Sequence, residues 1–268
     1  MDRRERLDDP VEAQRAALDG RQAEIWTALP GIFQSFDPEA LTAAVREINR
    51  LERELSRTIA TSDVYKINAD GAAAVSDETA ALLQSAIACS EKTGGLFDVT
   101  IAPLVTLWGI TTDSPRVPQQ TEIDALLPLV GTEHVTLEGA RVTLDPGCAM
   151  DLGGIAKGYA SDRLADIFAQ YGVDSALVSL GGNVYARGTK PGGAAWSVAV
   201  QHPEQEGYAA MLALTDAFAV TSGGYQRYFT GPDGTVYQHI LDPQTGWPVQ
   251  GDLLSVTIVA DNGTMADA

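Results

Sequence analysis

Two groups of residues in this sequence have the types and spacing for chemistry. The first is the turn Asp151-Leu152-Gly153-Gly154, with Lys157 just beyond it. After the turn, Ile155, Tyr159, Leu164, Ile167, Phe168 and Tyr171 recur at helical spacing until Gly172. The spacing predicts a strand end, a tight turn and a helix over 155–171. The glycines let a ligand approach the backbone, and first-turn amides backed by the helix dipole attract an anion. Lys157 falls in that first turn, where a cation opposes the dipole by about 0.3–1 kcal/mol. A phosphate neutralised by Lys157 accounts for this arrangement. A solvated lysine on an ordinary helix accounts for it as well.

The second group is His239-Ile-Leu-Asp242-Pro-Gln-Thr245-Gly246. A histidine at a strand end, with a carboxylate three residues later and a Pro-x-Thr-Gly turn to fix the loop, can hold a general base beside its orienting partner. Three weaker signals accompany it. Leu180-Gly181-Gly182-Asn183 suits a bulge or a close backbone approach between two strands. Thr221-Ser222-Gly223-Gly224 adds hydroxyls that can donate to a phosphate or cap a turn. Asp98 is the one charge in the apolar run 96–108, so it needs either a structural hydrogen bond or a ligand.

The elements that must position these residues follow from caps and periodicity. Asp37-Pro38 is an N-cap and N1 pair ahead of Leu41, Val45, Ile48, Leu51 and Leu55. Ser76 caps a second helix that runs to Gly94-Gly95. Thr121-Glu-Ile-Asp124 has a capping-box pattern, and His134–Glu138 with Arg141–Asp145 reads as a hairpin. A weakly periodic helix is expected within 10–28. Strands are expected at 176–180, 184–187, 196–200, 211–214, 218–221, 235–241 and 253–259. Helices gather in the first half and adjacent strands in the second, so the fold class is α+β, with a largely antiparallel sheet flanked by helices. A helix can begin at the very end of the chain, but no closing element is expected after the last strand.

Bulk properties narrow the partners. A net charge of −18 argues against nucleic acid or an anionic membrane, so an anionic ligand needs a local device such as a helix end, a lysine or a metal ion. No apolar run reaches the length of a membrane span. Cys89 and Cys148 fit neither a disulfide framework nor a zinc site, and read as buried free thiols. The N-terminal residues lack the apolar core of a secretory signal. Walker-type, Rossmann-type and nucleophile-elbow motifs are missing from the sequence.

Taken in order, the motifs at 93–100, 103–109, 151–162, 180–183, 221–223, 239–246 and 255–257 resemble those of the ApbE family of flavin transferases. The resemblance runs from about residue 37 to the end. It implies a T-fold-like architecture and Mg²⁺-dependent transfer of FMN from FAD to a Thr or Ser hydroxyl of an acceptor flavoprotein subunit, with release of AMP. By position it implies that Asn68, Phe97, Asp98 and Thr100 lie along the flavin nucleotide, together with Asp151, Lys157, Gly181, Gly182, Thr221, Ser222 and Thr245. The Ala156 carbonyl and Asp267 match metal ligands, and His239 matches the base, with Asp242 behind it. An extracytoplasmic location is also implied.

Two departures from the family pattern set further expectations. The family's last metal ligand, a threonine one helical turn after the aspartate, has no counterpart, since the sequence stops one residue after Asp267. Residues 1–36 lack the family's opening Gly-Thr strand and read as a divergent segment before a domain over 37–268, C-terminally incomplete. A FAD pyrophosphatase and a catalytically silent FAD-binding module are the alternative readings.

Overall fold

The computed structural model describes residues 38–268. The Asp37 cap and the helix expected within 10–28 lie outside the described residues. Helix α1 (Pro38–Leu55) opens with proline at its first position and buries Ala40, Ala44, Leu51 and Leu55. Helix α2 (Asp63–Asp70) is capped by Ser62, whose hydroxyl accepts from the Tyr65 amide, and is stopped by Gly71 in the left-handed region. Strand β1 (Ala72–Ala74) follows. Helix α3 (Asp77–Lys92) starts at the expected Ser76 cap. It ends where the Gly95 amide reaches back to the Ser90 carbonyl at 2.8 Å.

The apolar run 96–108 contains a short helix, α4 (Ala102–Trp108), opened by Pro103 and closed by Gly109 at φ 62°. Helix α5 (Gln120–Leu126) does have a capping box, but it is built from Gln119 and Glu122 rather than from Thr121 and Asp124. Strands β2 (Val135–Glu138) and β3 (Arg141–Leu144) form the expected hairpin, and β1 pairs with β3.

Helix α6 (Ala156–Gln170) leads into β4 (Ala176–Leu180) and β5 (Asn183–Arg187), then the ribbon β6 (Trp196–Gln201) and β7 (Tyr208–Leu214). Strand β8 (Ala217–Gly223) is followed by the short strands β9 (Tyr228–Thr230) and β10 (Val236–Gln238), which pair with each other. The strand expected over 235–241 is therefore only three residues long. Strand β11 (Ser255–Ala260) precedes helix α7 (Gly263–Asp267), so a closing element does follow the last strand.

The central sheet has the order β11-β8-β5-β4 and is antiparallel throughout. One face buries Val178, Leu180, Tyr185, Phe218 and Val220 against helices, including Leu164, Ile167 and Phe168 of α6. The other face packs Ala186 and Ala219 against Trp196, Val198 and Leu214 of the ribbon. A separate cluster joins Leu104 and Trp108 of α4, Ile123 of α5, Tyr237 and Leu241. It carries the loop that bears His239. Both cysteines are buried and free, and burial pushes each thiol up from its ordinary pKa.

Candidate functional site

The first turn of α6 is the centre of the site, and its sequence explains its shape. Asp151 holds the preceding turn: its carboxylate accepts from the Gly153 amide at 2.7 Å and pairs with Arg57 at 2.9 Å. Its own amide donates to the Val99 carbonyl at 2.7 Å, tying the turn to the 97–100 segment. Gly154 sits under Phe97, whose ring would lie 3.2 Å from any added Cβ. Asn68 grips Met150 from both sides, donating to its carbonyl at 2.9 Å and accepting from its amide at 2.7 Å. The turn is thus set before any ligand arrives.

Lys157 takes the expected place in the first turn. Its ammonium lies 3.5 Å from Asp267 and 3.4 Å from the Gly153 carbonyl, which offsets its clash with the helix dipole. Asp267 comes from α7, and its side chain is only 3 % exposed. Its other oxygen accepts from the Gly158 amide at 2.9 Å. A carboxylate therefore lies at the end of α6 where the sequence pointed to an anion. The grip is reciprocal, because Asp162 of α6 accepts from the Gly263 and Thr264 amides of α7 at 2.7 and 2.8 Å. Gly158 allows this crossing: a Cβ there would stand 2.2 Å from the Gly263 carbonyl oxygen.

His239 comes from the loop directly after β10. Its Nδ1 lies 3.2 Å from the Arg227 carbonyl, and its amide donates to the same oxygen at 3.0 Å. A carbonyl only accepts, so Nδ1 carries the hydrogen and Nε2 keeps its lone pair. Burial holds the ring below its ordinary pKa, helped by the charges of Arg227 and Lys157.

The expectation that Asp242 supports His239 is corrected here. Its carboxylate accepts instead from the Gln244 amide at 2.8 Å, and its carbonyl takes the Thr245 and Gly246 amides. Asp242 folds the loop, and the Arg227 carbonyl orients the histidine. The loop is anchored by Trp108, whose indole donates to the Gly246 carbonyl at 2.8 Å, and by the edge-on contact of Trp108 with Trp247.

The other expected residues fall in two groups. Asp98 and Thr100 are buried and serve each other: Asp98 accepts from the Thr100 amide and hydroxyl at 2.8 and 2.6 Å, and the Thr100 oxygen accepts from the Gly131 amide. Asp98 also borders a cavity of about 400 Å³ walled by Gly94, Gly95, Glu91, Glu133 and Gln244. Gln244 bridges the 94–98 loop and the histidine loop, 3.5 Å from the Gly94 carbonyl. In the second group, Gly181 and Gly182 are no bulge. At φ 58° and 101° they form the two-residue turn of the β4–β5 hairpin. Thr221 pairs its hydroxyl with Thr257 at 2.8 Å across β8 and β11, Ser222 follows it on the exposed side, and the Thr245 hydroxyl lies 3.4 Å from the Trp247 amide.

Sequence reasoning passed over Arg57, Gly158, Asp162 and Arg227. A glycine immediately after Lys157, inside a helix that it weakens, was the available signal for close packing. The other three act through partners far away in sequence.

For a metal, the Asp267 carboxylate stands beside the first turn that Ala156 opens, and the resemblance implies the Ala156 carbonyl as a second oxygen. Among the described residues, no three His, Cys, Asp or Glu side chains gather into a cluster. An oxygen-only donor set of low number suits Mg²⁺, which keeps much of its water, better than zinc or copper. The residues present fit that ion.

This is an α+β domain built on an antiparallel sheet, and its relatives give it a family. The ApbE family model matches residues 21–268, and the chain belongs to the ApbE family. A FAD:protein FMN transferase of Vibrio cholerae is 34% identical over 233 residues, covering 82% of this chain and 70% of its own length. That of Escherichia coli K12 is 34% identical over 203 residues, and this chain spans only 58% of it. Among solved structures, the ApbE protein of Thermotoga maritima superposes with a TM-score of 0.82 at 37% identity, over 87% of this chain and 78% of that one. The apo flavinyl transferase ApbE of Pseudomonas stutzeri gives 0.77 at 32%, over 85% and 73%.

Proposed function

We propose that this chain transfers FMN from FAD to a Thr or Ser hydroxyl of an acceptor protein and releases AMP. The observation that carries the reading is the pairing of Lys157 with the buried Asp267 at the first turn of α6; His239, with its Nε2 free, is the candidate base. The relatives' shared name supplies the substrate class. Phe97 on Gly154 and the cavity beside Asp98 provide the adjoining walls for a nucleotide.

The acceptor oxygen attacks the phosphorus on the FMN side of the diphosphate. A new P–O bond forms, the P–O bond to the bridging oxygen breaks, and AMP leaves with that oxygen. His239 Nε2 takes the hydroxyl proton as the oxygen becomes nucleophilic. Lys157 holds the charge that builds on the phosphate oxygens. Asp267 and the Ala156 carbonyl would hold Mg²⁺, whose contribution is to neutralise the diphosphate.

The histidine's lowered pKa sets the pH dependence. The base works only when neutral, so the transfer rate should be flat down to pH 6.5, its ordinary value, and fall below that. A pH–rate profile of kcat that already falls with a midpoint above 6.5 contradicts the assignment.

Asp267→Asn should raise the Mg²⁺ concentration for half-maximal rate by at least about tenfold, ~1.4 kcal/mol of metal affinity. It should leave the fold intact, since the amide can still accept from Gly158. An unchanged Mg²⁺ titration removes Asp267 from the metal site. The reading as a whole is tested by following AMP chromatographically with FAD and Mg²⁺, with and without an acceptor domain. AMP that depends on the acceptor supports transfer, and AMP with free FMN and no acceptor requirement means hydrolysis.

A further inference from the structure

Asn183 opens β5 directly after the Gly181–Gly182 turn. Its cross-strand partners are Leu180 of β4 and Val220 of β8, and it alternates with Tyr185, so its side chain lies on the helix-packed face of the sheet. It is 1 % exposed. Neither its Oδ1 nor its Nδ2 has a hydrogen-bond partner among the described residues. Buried amides are rarely left so, because the lost hydration is not recovered. An apolar side chain of similar size would fill this place at no such cost.

The position of Asn183 suggests what the amide is for. Helix α6 ends at Gln170 and β4 begins at Ala176, so the short connection makes them antiparallel. The β4–β5 turn therefore lies at the N-terminal end of α6, the end that carries the Ala156 carbonyl, Lys157 and the contact with Asp267. Gly181 and Gly182 have no side chains to bar an approach from that side.

A primary amide needs both an acceptor for its N–H groups and a donor for its oxygen. A bare phosphate supplies only acceptors, and a hydrated cation supplies only donors. A diphosphate together with a hydrated Mg²⁺ supplies both. We infer that Asn183 is a ligand-binding residue, whose amide donates to a phosphate oxygen of FAD and accepts from metal-bound water. This rests on the FAD and Mg²⁺ reading given above. It requires Asn183 to respond to the pair and not to either component alone.

The test compares wild type with Asn183→Leu in FAD binding, with and without Mg²⁺, alongside the melting temperature of the ligand-free proteins. The leucine variant should be at least as stable as wild type without ligand. It should bind FAD with Mg²⁺ at least about tenfold more weakly, while FAD alone changes less than about twofold. Retained affinity for FAD with Mg²⁺ overturns the inference and leaves the amide to a buried water. If the variant does not fold, the wild-type Asn183 side-chain NH₂ resonances decide. They should shift when FAD and Mg²⁺ are added together and stay in place with either alone, and any other pattern overturns the inference. Wild type that binds no FAD at all would instead be a failure of the proposed function.

Discussion

His239→Ala is expected to lower the rate of FMN transfer by about 10²–10⁴-fold while changing FAD affinity by less than about twofold. The first number follows from losing the group that takes the acceptor's proton. The second follows from how the loop is held. Trp108 grips the Gly246 carbonyl, and Asp242 folds the turn through Gln244, so neither support passes through the imidazole. The ring's own hydrogen bond goes to the Arg227 carbonyl. Single-turnover rates beside equilibrium binding separate the two effects. A variant with unchanged turnover removes the histidine from the mechanism, and a variant with lost FAD binding makes it a binding residue instead.

Gly158→Ala has the second large effect, and two opposing magnitudes decide its sign. In an ordinary helix interior the change to alanine stabilises by about 1 kcal/mol. Here the new Cβ would stand 2.2 Å from the Gly263 carbonyl oxygen and 2.7 Å from the Asp267 Cβ. The first is backbone and cannot rotate away, so α7 must shift. Overpacking of this kind costs about 1–3 kcal/mol, and a direct backbone clash belongs at the upper end. A fall in Tm of about 5 °C or more is expected, together with weaker Mg²⁺ binding, because Asp267 moves with α7. A variant more stable than wild type would mean that α6 and α7 do not cross as described.

Much of the frame was readable because it rests on local signals. Pro38, Ser76 and Gly94-Gly95 mark helix ends through hydrogen bonds within a few residues, and those ends appear where expected. The hairpin around Gly139 is equally local. Helices α2 and α4 were missed because eight and seven residues give too few turns for a period to stand out.

The site was legible as a set of residues and not as a set of contacts. Lys157 and Asp267 are 110 positions apart, and their meeting depends on α7 folding back over α6 through Gly158 and Asp162. Asp242 was misread for the same reason in reverse. Proximity in sequence suggested a partner for His239, yet a carboxylate two residues before a free amide closes its own turn first. The carbonyl that orients the imidazole belongs to Arg227, twelve residues upstream and without any side-chain signature.

The intact mass of an acceptor domain tests the central claim most directly. After incubation of the chain with FAD, Mg²⁺ and the acceptor, followed by denaturation, the account predicts one FMN increment per acceptor, located on a Thr or Ser by peptide mapping. It also predicts an equivalent of AMP in solution. FAD consumed with the acceptor mass unchanged would contradict transfer to protein.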